Sequence, residues 1–286
     1  MSDLSSTAAE FLALHRRERP LLLANAWDPG SARLFASLGF QALATTSSGY
    51  AASLGRLDYG VGRDEAIAHA AELASAGGLP LSADLENGFA DDPEGVAETV
   101  ALARRVGLAG CSVEDWCPSE KRIYDLEHAV ERVAAAAAAA HDGNGNGNGN
   151  GNGNGNGNGG IVLTARAENF LRGRTDLDDT IKRLRRYEQA GADVLYAPAV
   201  DGAEQIAALV AALERPVNVL ARETVPPVDE LAAIGVARIS VGGSFAFAAL
   251  AAAGEAAREL LDGGTYGFTA RALEGGRLAR EAFSET

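Results

Sequence analysis

Short apolar runs recur along the chain at positions 21–24, 42–45, 79–83, 109–113, 161–165, 193–197, 216–220 and 237–241. Each is followed by a longer stretch with helical periodicity, beginning near 31, 65, 93, 126, 177, 203, 229 and 244. Continuous apolar strands separated by amphipathic helices mark a parallel sheet buried on both faces. Eight such β-then-α units close naturally on themselves, so the expected fold is α/β, a single (β/α)8 TIM barrel spanning 1–286. A doubly wound open sheet is the alternative. Its Gly-rich first turn is missing, because the first run leads into Asn25-Ala26-Trp27-Asp28. Helical text also flanks the barrel near 7–17 and again near 270–283, within a C-terminal helical extension from about 265.

One segment breaks the pattern. Residues 143–160 are almost pure Gly-Asn alternation, with no side chains that could bury apolar area. Such a sequence cannot offset the entropy of ordering, so a disordered insert is expected between the fourth helix and the fifth strand.

Composition narrows the function. Of 286 residues 47% are hydrophobic, enough for a large core, and the net charge of −14 repels nucleic acid and anionic lipid alike. Neither is expected as a partner. Two cysteines make no disulfide framework. The first ten residues carry no basic segment followed by an apolar one, and no apolar run reaches about 18 residues. A cytoplasmic location is the expectation.

Barrel enzymes place their chemistry where strands end and βα loops begin. Those positions here hold Asn25 and Asp28; Thr46-Ser47-Ser48-Gly49-Tyr50 with Asp58 in the same loop; Asp84-Leu85-Glu86; Glu114-Asp115; and Arg166 with Glu168 and Asn169. Asp84 and Glu86 are two apart on a strand, so they share a side, and like charges so placed call for something positive between them. With Glu114 on the next strand and Asp58 in reach, the set reads as a hard-cation site of the kind Mg2+ occupies. The competing reading pairs these acids with Arg166 and other basic groups. Arg166 itself suits a substrate carboxylate or enolate oxygen, or a structural ion pair with Glu168 or Glu114. Ser48-Gly49 suits a substrate carboxylate, and is also ordinary turn chemistry. Gly242-Gly243-Ser244 before a helix fits a phosphate or close packing equally well. The four histidines lie away from strand ends and receive no catalytic role.

Asn25 to Arg33, Ser47-Ser48-Gly49, Asp84-Leu85-Glu86-Asn87-Gly88, Val113-Glu114-Asp115, Thr164-Ala165-Arg166, Tyr187 to Asp193 and Arg238-Ile239-Ser240-Val241-Gly242 occur in that order. The ordered set resembles the isocitrate lyase/phosphoenolpyruvate mutase superfamily across nearly the whole chain outside the Gly-Asn stretch. The resemblance implies that Asp84, Glu86 and Glu114 hold Mg2+, or Mn2+ in its place, directly or through waters. It puts Asp58 beside metal and substrate. Arg166 would stabilise an enolate, with Ser48, Gly49 and Tyr50 holding a carboxylate or phosphoryl group. It also implies a homodimer, usually within a homotetramer, built by exchange of the eighth helix.

The departures are as informative. The Lys-Lys-Cys-Gly-His gating loop of the isocitrate-type lyases is absent. The corresponding stretch is Trp116-Cys117-Pro118-Ser119-Glu120-Lys121-Arg122-Ile123-Tyr124, and Cys117 comes too soon after Glu114 to match. Lys121 roughly matches the gating lysine of the mutase branch, without the residues that follow it there. Ala199 stands where those lyases carry a glutamate, and Asn218 sits earlier in its strand than their asparagine. The expectation is therefore a Mg2+-dependent lyase or decarboxylase acting on a small α-oxo or 2-hydroxy carboxylate through an enolate. A phosphonomutase or phosphonopyruvate-hydrolase-type enzyme, or a non-catalytic carboxylate-binding barrel, are the alternatives.

Overall fold

The structure, a computed structural model, describes residues 4–16, 19–142 and 160–284. The Gly-Asn stretch, expected from sequence to be disordered, lies outside the described residues up to 159.

Eight parallel strands close into a barrel. They are β1 (Leu21–Ala26), β2 (Leu43–Thr45), β3 (Leu81–Asp84), β4 (Gly110–Glu114), β7 (Val162–Arg166), β8 (Val194–Tyr196), β9 (Val217–Leu220) and β10 (Arg238–Ser240). The order around the barrel is β1-β10-β9-β8-β7-β4-β3-β2. Between β4 and β7 a separate antiparallel hairpin, β5 (Trp116–Cys117) and β6 (Arg122–Ile123), rises from the stretch that lacks the gating-loop signatures.

The helices are α1 (Leu4–Ala13), α2 (Pro29–Ser37), α3 (Ser47–Ser53), α4 (Arg63–Gly77), α5 (Pro93–Arg105), α6 (Leu126–His141), α7 (Leu177–Gln189), α8 (Ala203–Ala212), α9 (Val228–Ile234), α10 (Ser244–Arg258) and α11 (Thr269–Phe283). Side-chain caps set several of their starts: Asp28 accepts from Ser31 N, Asp92 from Gly95 N and Asp176 from Asp179 N. No helix among the described residues is long and apolar enough to cross a membrane.

Two apolar clusters hold the barrel. The larger lies between strands and outer helices and includes Val113, Leu163, Leu195, Leu73, Val100 and Leu184. The smaller closes the N-terminal end, where Phe11 packs among Leu21, Leu23, Ala42, Ala44, Val162 and Val194. Gly110 makes room for that plug, since a Cβ there would sit 2.9 Å from the Phe11 ring and from the Val162 carbonyl. The C-terminal end of the barrel is thereby left as the open one.

The eighth helix is different. Apart from Ala246, α10 buries nothing: Phe245, Phe247 and Leu250 are exposed, and so are Leu273 and Phe283 of α11, which lies against α2.

Candidate active site

Alternation along the strands sends Asn25, Ala44, Ser82, Asp84, Ser112, Arg166, Tyr196, Asn218, Arg238 and Ser240 into the bore, where they line a cavity of ≈170 Å3. Most TIM-barrel bores are filled by bulky branched side chains. Here the fillers are small or polar, and so the bore stays hollow below its mouth.

Charge gathers on one side of that mouth. Arg166, at the end of β7, is the hub. Its Nη1 meets Asp84 Oδ1 at 2.8 Å, its Nη2 meets Glu114 Oε2 at 2.8 Å, and its Nε donates to Glu168 Oε1 at 3.0 Å. Burial disfavours the cation, but Glu168, Glu114 and Asp84 outweigh it and hold the guanidinium charged. Burial raises the Glu114 and Glu168 carboxyls, which crowd the same cation, above the ordinary range. The ion pairs foreseen for Arg166 are thus present, and Asp84 shares in them.

Glu86 is the exception. It is buried, sits at φ +49°, and belongs to a small side pocket with Asp84, Tyr50 and His69. No basic side chain pairs with it among the described residues. Burial first, and then Asp84 and Asp58, push its carboxyl up to about 8. Asp58 is raised by the same causes, partial burial and Asp84. Ser47 Oγ lies 2.9 Å from Asp84 Oδ2 and 3.2 Å from Asp58 Oδ1, a single hydroxyl proton facing two carboxylates.

This corner is short of positive charge, and oxygen donors are what a hard cation takes. Mg2+ is commonly held by one or two carboxylates, keeping waters and substrate oxygens for the rest. Asp84 and Glu86, with Asp58 beside them, fit that pattern. Glu114 points elsewhere, into Arg166 and the Tyr59 hydroxyl, which donates to its Oε1 at 2.5 Å. Among the described residues no three Asp, Glu, His or Cys side chains converge as a ready-made ligand set.

The Ser48-Gly49-Tyr50 group divides. Ser48 lines the main cavity opposite Gly242 and Gly243. Gly49 is buried, and its N–H is taken by Thr46 Oγ1, which caps α3; a Cβ there would come within 2.6 Å of Thr46 Cγ2. Tyr50 turns into the side pocket and stacks on His69 with centroids 3.5 Å apart. At Gly242-Gly243, the Gly242 N–H donates to Asn25 Oδ1, and Gly243 allows Phe247 and Ser48 to close in to 2.6 and 2.7 Å of where a Cβ would stand. Close packing explains these glycines without a phosphate.

Sequence reasoning passed over a second row. Tyr59, at φ +62°, reaches Glu114, receives a hydrogen bond from Arg172, and Arg172 lies over the Trp116 ring at 4.1 Å. Left-handed non-glycine residues cost of order 1–3 kcal/mol each and cluster at functional sites. Tyr59, Glu86, Phe89 and Ala199 all occupy loops that follow strands at this end. Below them Asp115, fully buried, accepts from Glu168 N at 2.8 Å and from the Tyr187 hydroxyl at 2.6 Å, fixing the backbone that carries Glu168. A Tyr directly after Asp58 and an Arg six residues past Arg166 were the available signals. Cys117 is buried on β5 against Asp91 and Ser119, away from the cavity lining.

The sequence and the barrel are shared with known proteins. A protein of Burkholderia cenocepacia J2315, provisionally assigned as a lyase/mutase, is 47% identical and superposes with a TM-score of 0.88 over 98% of this chain and 96% of its own. An uncharacterised protein of Mycobacterium tuberculosis H37Rv is 33% identical over 88% of this chain and 89% of its own. The oxaloacetate decarboxylase of Ectopseudomonas mendocina is 28% identical over 87% of this chain and 82% of its own. The family model of phosphoenolpyruvate phosphomutase matches residues 11–261, and the chain belongs to that family of enzymes, within the isocitrate lyase/phosphoenolpyruvate mutase superfamily.

Proposed function

We propose that the protein is a carbon–carbon lyase or decarboxylase that takes a small α-oxo or 2-hydroxy carboxylate, depends on Mg2+ or Mn2+, and works through an enolate. The observation that carries this reading is the acid corner: Glu86, paired with no basic side chain among the described residues and pushed up to about 8, stands in a side pocket against Asp84, which with Asp58 lines the cavity that Arg166 enters. Asp84 and Glu86 would hold the cation with Asp58 at its edge, and the bound ion supplies Lewis-acid polarisation of the oxo group.

The remaining work falls to the chain's own residues. Arg166 presents a fixed, always-charged fork to the oxygen on which negative charge develops, and such preorganised stabilisation is worth several kcal/mol. Glu114, Glu168 and Asp84 hold that fork from three sides, so it needs little rearrangement as charge appears. Ser48 and Ser47 offer hydroxyls on the wall where the substrate's carboxylate would rest. The exposed apolar faces of α10 and α11 support assembly into a homodimer or homotetramer by exchange of the eighth helix.

A panel of oxo acids, 2-hydroxy acids and phosphonates, assayed with Mg2+ and with chelator, tests the reading. Metal-dependent release of a ketone, oxo acid or CO2 from a carboxylate is expected. Turnover confined to phosphonates would make the protein a carbon–phosphorus enzyme instead, and binding without any turnover would leave a carboxylate-binding barrel.

A further inference from the structure

The cavity continues below the site just described. Backbone register joins Arg166 to Tyr196, Tyr196 to Asn218, Asn218 to Arg238, and Arg238 to Leu21. Strands in a closed barrel are staggered, so a row of paired residues runs obliquely along it. This row starts at the last residue of β7 and ends at the first residue of β10, passing from mouth to floor. All four polar members line the cavity.

Arg238 is the charge at that floor. It is 3% exposed. Its Nε donates to Asn218 Oδ1 at 2.9 Å, and its Nη1 lies 3.4 Å from His15 Nε2, at the base of the barrel beyond α1. Among the described residues no carboxylate oxygen lies within 4.0 Å of it, whereas half-buried Arg166 and buried Arg183 each pair with acids. Buried Arg132 also lacks an acid, but three backbone carbonyls satisfy it. His15 brings no counter-charge: burial, and then Arg238, push it down to about 3. Arg238, lowered by burial to about 10, remains a cation at neutral pH. A guanidinium has five N–H donors in a fork that matches a carboxylate. Two acceptors from the protein leave the rest of that fork to the cavity. Two residues below Arg166 on the same inward face of β7, the buried Thr164 hydroxyl has no hydrogen-bond partner among the described residues.

We propose that Arg238, with Asn218 and Ser240 beside it, seats a second carboxylate of the substrate, so that the enzyme selects oxo dicarboxylates whose far end runs down the bore. The proposal rests on the reading of the upper site as an oxo-acid site and adds the substrate's second charge to it. A buried cation that must be left unpaired discriminates strongly against an analogue lacking the matching group.

The test is displacement of oxalate at saturating Mg2+. Oxaloacetate is compared with 2-oxobutyrate and 2-oxoglutarate with 2-oxopentanoate, pairs of equal chain length. In the wild type each diacid should bind at least about tenfold more tightly than its monoacid. Asn218→Asp places a carboxylate on Arg238 from within. It should fold with a Tm at or above the wild type, bind oxalate within about threefold of it, and lose the diacid preference to below about threefold. Arg238→Met should lose the preference as well. Diacid and monoacid binding alike in the wild type, or an undiminished preference in Asn218→Asp, overturns the floor subsite. If oxalate itself fails to bind with Mg2+, the reading of the upper site falls, and the floor proposal with it; oxalate binding with no diacid preference removes the floor proposal alone.

Discussion

Strands β2, β3, β4 and β7, with the loops that follow them, bring Asp58, Asp84, Glu86, Glu114, Arg166 and Glu168 to the barrel mouth, whereas β8, β9, β10 and β1 bring Tyr196, Pro198, Asn218, Leu220, Ser240 and Asn25. The first half is crowded with carboxyls raised by burial and then by one another, and Glu86 there has no basic partner among the described residues. On the second side the residues that line the cavity are neutral except Arg238, at the floor. Members of this family share a barrel and differ in substrate, and under the proposed function each of these two needs would have its own half of the mouth. Bond-making chemistry depends on a dense, mutually constrained charge cluster. Selectivity needs only a few separate groups, free to change without disturbing it.

The comparison breaks most visibly at Arg166. Arg166→Lys keeps a charge but loses the fork that meets Asp84, Glu114 and Glu168 together. Activity toward the best oxo acid of the panel should fall about 10²- to 10³-fold, the range for losing one preorganised charge-stabilising group. A loss under tenfold would mean that the enolate is stabilised elsewhere.

Glu86 gives a pH signature that the neutral half cannot. Its folded-state pKa of about 8 lies above the ordinary 4.5. Between those values the folded protein holds a proton that the unfolded chain releases, so metal-free stability should fall as pH rises through that window. Glu86→Gln should flatten the fall, giving a higher metal-free Tm than the wild type at pH 8 and little difference at pH 5. Because a cation must compete with that proton, Mg2+ binding to the wild type should strengthen about tenfold or more from pH 6 to pH 8. A thermal-melt series across pH with chelator, followed by Mg2+ titrations, checks both; parallel melts for the two proteins would remove the acid corner from the account.

Smaller effects are expected away from the cluster. Cys117→Ser should change kcat by less than about threefold, since the thiol is buried against Asp91 and Ser119 rather than facing the cavity; a hundredfold loss, the scale for a missing general acid–base group, would bring it into the chemistry. Ala199→Gly, at φ +67°, should leave kcat unchanged and raise stability by about 0.5–1 kcal/mol through relief of the left-handed backbone. A drop in Tm would contradict that assignment of strain.

The barrel was legible because eight apolar runs alternate with helical periods, and periodicity is a local property that survives folding. The strand-end acids were legible for the same reason, as a run that ends in Asp84 or Glu114 must end at the mouth. Local pattern could not say which way each side chain turns. Tyr50 and Glu114 both lie where a βα loop starts, yet stacking takes one to His69 and ion pairing takes the other to Arg166. Arg238 was hidden differently. It opens an apolar strand at the end where barrel residues usually serve stability, and only the stagger of the strands shows that its side chain shares a cavity with Arg166. The hairpin β5–β6 has just two residues per strand, too few for any period to register.

The central claim, that Asp84 and its neighbours hold a divalent cation against an oxo acid, is tested most directly by calorimetric titration of oxalate into the protein with and without Mg2+, in the wild type and in Asp84→Ala. The account predicts oxalate binding to the wild type that requires Mg2+ and is lost in Asp84→Ala, with the variant still folded by circular dichroism. Oxalate binding of equal strength without the metal, or metal-dependent binding that survives in Asp84→Ala, would contradict it.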